Sequence, residues 1–170
     1  IYEVHEDLIG NVLPGKDFSG DGLGAIDVQG HGTHVAGTIA GVGNNNLGVT
    51  GVSWQSKVMS CRIFGLLGFG TNATTSAAVQ AIEYSVTNGV RISNNSWGGL
   101  YFSGALYDAV EYAYTNDHVF VCAAGNSGWD NDVKRFRIAH TLVHLGKRVQ
   151  TSLHETFVPL VHDHLLNVPV

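Results

Sequence analysis

The chain has 170 residues, 44% of them hydrophobic, and nine Lys and Arg against 14 Asp and Glu, for a net charge of −5. That length and apolar content suit one domain with a sizeable core rather than two. The acidic balance, with no basic run longer than two residues, excludes nucleic acid and anionic membrane surfaces as partners. No apolar stretch reaches the roughly 20 residues that span a bilayer, and the acidic opening "IYEVHEDLIGN" does not read as a signal peptide.

In chain order, residues 9–30 are rich in Gly and Asp and read as consecutive surface turns with room for one short strand, Asp21 and Asp27 lying in flexible turns. "HVAGTIAGV" (His34–Val42) has small and apolar residues on every side, which predicts a short helix buried all round, with His31 in its first turn. The polar loop "GNNNLGVTGV" ends it. Lys57–Phe64 is an apolar run of strand length, followed by the glycine-rich loop Gly65–Asn72. Residues 74–89 open with capping residues, carry apolar positions at helical spacing and stop at Asn88 and Gly89. "VRISNNSWGG" starts as a strand and ends in a Gly-Gly turn, Ser103–Asp117 is a second amphipathic helix, and "HVFVCAAGNSG" is a further strand running into a loop. Cys61 and Cys122 lie inside strand-like runs, the setting of free, buried thiols.

Strands alternating with helices predict an α/β fold, a parallel sheet with helices on both faces. In such sheets functional groups gather beyond the carboxyl ends of the strands, which singles out residues 65–70, 96–99 and 123–128. Composition changes after that last loop. Of 22 glycines, 21 precede residue 129, whereas five of nine histidines lie between His140 and His164. The expected boundary falls in "GNSGWDNDVKRFR", dividing a domain at 1–132 from a tail at 133–170, mistranslated or disordered.

"GHGTHVAGTIAG" (Gly30–Gly41) invites a metal reading, but its histidines are three apart, where the zinc-protease motif needs four and an adjacent Glu. His140 with His144, and His162 with His164, belong to no predicted element. Nucleophilic catalysis suits His31 better. A general base belongs on a rigid element, and the positive end of a helix dipole disfavours the imidazolium. Asn126, in a Gly-flanked turn after a strand, is placed to donate to a developing oxyanion, although an Asn in such a turn also has a purely structural use.

Taken together, "HGTHVAGTIAG", "SNNSWGG" and "VCAAGNSG", with "HEDLIGNV" before them and "NNNLGVTGV" between, resemble the subtilisin-like serine proteases over residues 1–132. The resemblance implies a three-layer α/β fold, cut short at both ends, and a secreted enzyme acting on extended polypeptides. It implies that His31 is general base and acid and that Asn126 is the oxyanion donor, leaving His34 structural. Ser96, Trp97 and Gly98 would grip the substrate backbone, Ala123, Ala124 and Gly125 would wall the primary pocket, and Gly68 to Gly70 would supply the other edge. It further implies a structural calcium held by Asp7, Asn45 and the carbonyls of Val42, Leu47 and Val49.

Two catalytic residues of the family have no counterpart. Its orienting aspartate would fall a few residues before Ile1, and no G-T-S-M-A serine follows Asn126. Ser152, in "QTSLHETFVP", lacks the strand-turn-helix setting of a nucleophile. The expectation is therefore an inactive fragment of a serine endopeptidase. The alternatives are a pseudoprotease that keeps a peptide groove without hydrolysis, and an appended segment at 129–170 that binds a metal or partner.

Overall fold

The computed structural model describes residues 1–66, 73–99, 102–123 and 126. They divide into two compact units, the first Ile1–Ser93 and the second beginning at Asn94. In chain order the elements are a 3-10 turn (Glu6–Leu8), β1 (Val12–Asp17), α1 (His31–Ala40), β2 (Val58–Arg62), α2 (Thr75–Thr87), β3 (Ile92–Asn95), α3 (Gly104–Thr115) and β4 (Val119–Cys122). β1 pairs in parallel with β2 and β3 pairs with β4, so the described residues form two two-stranded sheets in an α/β arrangement.

Where the sequence offered at most a short strand among turns, β1 runs six residues and joins β2 through the crossover helix α1. Leu13 pairs with Met59 and Lys16 with Cys61, so β1 holds one residue more than its partner across that interval. Pro14 and Gly15 lie within this irregularity. A Cβ on Gly15 would sit 2.6 Å from the Ser60 carbonyl oxygen, so only glycine lets the two backbones approach there.

α2 begins and ends where its sequence punctuation places it: the Thr74 hydroxyl accepts from the Ala77 N–H at 3.1 Å, and Gly89 takes the left-handed conformation at φ 72°. It lays Ala77, Ala78, Ala81 and Ile82 toward β2, and these small side chains, with Leu8, Ala36, Ala40 and Ile63, form the core of the first unit. In the second unit α3, capped by Ser103, buries Leu106, Ala109, Val110 and Ala113 along one stripe and packs on β4.

Two expectations need correction. α1 is not buried all round: Ala36, Gly37 and Ala40 are buried, but His31, His34 and Thr38 are exposed, because the helix packs on the 3-10 turn and loop 49–51 along one side only. Cys61 and Cys122 are free thiols, but half-buried, and that partial burial pushes both thiols above their ordinary pKa.

Candidate functional site

His31 is the first residue of α1, directly after Gly30, whose φ of 83° turns the chain into the helix and which offers no side-chain cap. The missing cap comes from upstream. Asp27 Oδ1 accepts from the main-chain N–H groups of Gln29 (2.9 Å) and Gly30 (2.8 Å), and Oδ2 accepts from the Thr33 N–H (2.8 Å) and the Thr33 hydroxyl (2.6 Å). Burial works against the Asp27 carboxylate, but the bonds from Thr33, Gln29 and Gly30 together outweigh it and hold the group well below the usual carboxylate range. The Thr33 hydroxyl oxygen also accepts from the Tyr2 N–H at 2.8 Å, tying α1 to the amino-terminal segment.

Asp21 is equally far from a flexible turn. Arg62, on β2, grips it bidentately at 2.7 and 2.6 Å and donates also to Ser19 Oγ and the Gly24 carbonyl, with Asp17 3.5 Å away. The guanidinium holds the Asp21 carboxyl well below its ordinary value. Residues 17–24 are thus clamped onto β2, and the reading of Asp21 and Asp27 as loosely held is overturned. Sequence spacing gave no sign of Arg62 as partner, since 41 residues separate it from Asp21.

Asp7 is buried in the 3-10 turn, and of the implied calcium ligands Asn45, Val42 and Val49 meet it through their N–H groups. Its carboxylate accepts from Asn45 Nδ2 at 2.8 Å and from the Val49 N–H at 2.7 Å, and its carbonyl accepts from the Val42 N–H at 2.9 Å. Those bonds, Asn45 first and Val49 second, hold the Asp7 carboxyl below the usual range. Asn44, Asn46 and Gly48 have φ of 60°, 59° and 41°, and a Cβ on Gly48 would collide with Asp7 Oδ2. The set is hard-oxygen in character, one carboxylate, one amide oxygen and main-chain carbonyls, which suits calcium over softer metals. Val42 and Val49, however, present N–H groups to Asp7, and the Asn45 oxygen accepts from the Leu47 N–H at 3.1 Å. An Asn45 flip that turned its oxygen toward a cation beside Asp7 would give up both its bond to Asp7 and the bond from the Leu47 N–H.

Beyond the paired strands, the Ala123 N–H donates to the Asn95 carbonyl at 3.1 Å, so Ser96–Gly98 and Ala123 leave the same end of the β3–β4 pair side by side. Asn94 Nδ2 donates to Ser96 Oγ at 2.8 Å, and Trp97 stands edge-on to Phe120, ring centroids 6.4 Å apart at 89°. Ser96 and Trp97 are half-buried, and Gly98, Ala123 and Asn126 exposed. Gly68, Gly70, Ala124, Gly125 and Ser152, together with all histidines of the tail, lie outside the described residues. Among the described residues, no three His, Cys, Asp or Glu side chains converge as a metal cluster, and no helix is long and apolar enough to cross a membrane.

The sequence profile of the subtilase family matches residues 9–146. This chain belongs to the subtilase family. It is 36% identical over 124 residues to thermitase of Thermoactinomyces vulgaris and 42% identical over 124 residues to subtilisin DY of Bacillus licheniformis, in each case over 73% of this chain and 43% of the relative. The solved structure of the S41 psychrophilic protease superposes with a TM-score of 0.67 at 29% identity, over 76% of this chain and 44% of the other. The subtilase chain thus has the subtilisin-like α/β fold and spans less than half the length of these relatives.

Proposed function

We propose that this subtilase chain is the histidine-bearing part of a secreted serine endopeptidase, with His31 as the general base and later the general acid, and Asn126 as the side-chain donor to the oxyanion. The supporting observation is the shared end of β3 and β4. The Asn95–Ala123 bond sets the substrate-gripping Ser96–Gly98 beside the start of the segment that leads to Asn126. An extended polypeptide adds there as a strand, bonding main chain to main chain along Ser96–Gly98.

Hydrolysis also needs a nucleophile and an aspartate that orients the histidine. This sequence has no G-T-S-M-A serine after Asn126. In subtilisin itself, measured losses of the serine or the histidine cost on the order of 10⁶ in turnover. The 170-residue chain on its own is therefore expected to be inert. A fluorophosphonate probe should leave it unlabelled, and labelling that His31→Ala abolishes would overturn this. Translating the transcript past "NDVKRFR" in every frame tests the enzyme reading. A frame that restores the serine supports it, and its absence from all frames favours a groove that binds peptide without cleaving it.

Calcium, held by Asp7, Asn45 and the carbonyls of Val42, Leu47 and Val49, would brace the 42–49 loop. Addition of calcium should then raise the melting temperature and chelation lower it. An Asn45→Ala chain should lose that response, and an unchanged response would remove these residues from the ligand set.

A further inference from the structure

We propose that Asp27 is a positioning residue for His31, fixing the main chain on both sides of it. The inference rests on reading His31 as the general base. Each carboxylate oxygen holds a different stretch of main chain. Oδ1 closes the turn before the helix through Gln29 and Gly30, and Oδ2 takes the first helical turn through Thr33. His31 lies between the two anchor points, one residue after Gly30 and two before Thr33.

The chemistry requires an ionised carboxylate. Four donors converge on one side chain, and only a carboxylate offers acceptor sites on both oxygens. Asparagine, with the same shape, serves the turn with its single oxygen but presents an NH₂ to the Thr33 N–H, donor against donor, and to a Thr33 hydroxyl that would have to turn from donor to acceptor. Glycine at the cap position supplies the left-handed turn and no side-chain cap of its own, so among the described residues Oδ2 is the side-chain acceptor of the Thr33 N–H. The Thr33 hydroxyl extends the arrangement. It donates to Asp27 and accepts from the Tyr2 N–H, so the entry to α1 is tied both to its own turn and to the amino-terminal segment.

The test is amide hydrogen exchange and histidine NMR on the ¹⁵N-labelled 170-residue chain, comparing the unaltered sequence with Asp27→Asn, Thr33→Val and Thr33→Ser. In Asp27→Asn the Thr33 amide should exchange roughly 10- to 100-fold faster, the loss of a hydrogen bond to a charged group. The Gly30 amide should keep its protection and the His31 ring resonances should move, while those of His118 stay. Thr33→Ser keeps the hydroxyl and should match the unaltered chain. Thr33→Val should shift His31 with the Ala78 amide of α2 still protected, and it decides the matter if Asp27→Asn does not fold. Unmoved His31 resonances in either Asp27→Asn or Thr33→Val, or a Thr33 amide unprotected in the unaltered chain, would overturn the proposal. Any longer gene product that a fluorophosphonate labels should label more slowly with Asp27→Asn, its affinity for a peptide substrate unchanged. If no product labels, the enzyme reading falls and the NMR result on Asp27 stands by itself.

Discussion

Asp7 and Asp27 each fasten an irregular segment with one carboxylate, but over different ranges. Asp27 bonds to residues two, three and six positions ahead, whereas Asp7 bonds to Asn45 and Val49, 38 and 42 positions ahead. The near closure needs only its own turn to form. The far one closes 38 to 42 residues of chain, across β1 and α1, at a higher cost in chain entropy, while the near one caps the start of a helix.

Acid should have the largest effect, because it strikes both closures and the Asp21–Arg62 pair together. All three carboxyls lie below their ordinary values in the folded chain, so the unfolded chain binds protons first. Their stabilisation is complete above roughly pH 5 and is withdrawn as the pH falls through the ordinary carboxylate range toward the lower folded values. Urea titrations across that interval should show a steady loss of stability, with the Val49 and Thr33 amides losing protection; flat stability would mean the carboxylates are not held as described.

Gly48→Ala breaks only the far closure. It places a Cβ against the Asp7 carboxylate at a positive φ, and should cost about 3 kcal/mol in urea denaturation. Asp27→Asn breaks only the near one, and about 1 kcal/mol, the ordinary size of a lost helix cap, is expected from the same measurement. If the two costs came out equal, the distinction of range would have no energetic content. Smallest of all, Thr33→Ser keeps both hydroxyl bonds and should stay within about 0.5 kcal/mol.

The same distinction of range governs what could be read from the sequence. α2 and α3 announce themselves through capping residues and apolar spacing, and β2 and β4 through short apolar runs, since these signals are carried within each element. Asp21 and Asp27 could not be read that way. Their surroundings are Gly and Asp, the composition of turns, and the partners that immobilise them are an arginine 41 residues away in one case and a threonine inside the next helix in the other. The exposed faces of α1 were hidden for a similar reason: small residues are compatible with burial on every side, and only packing decides which side is used. The motif around His31 pointed to its family, whereas what holds His31 in place required coordinates.

The extra residue in β1 has a consequence for how this strand can vary. Burial alternates along β1 except at Leu13 and Pro14, two exposed positions in succession, where the irregularity falls. The strand therefore changes parity there. Deleting Pro14 would remove the extra residue and leave an evenly alternating strand in which Gly15, Lys16 and Asp17 keep their present faces. Lys16 would stay over the rings of Phe18 and Tyr84, and Asp17 beside Arg62. A single-residue gap in a homologous chain here therefore needs no second gap nearby, whereas one outside the irregularity would turn the residues beyond it to the other face.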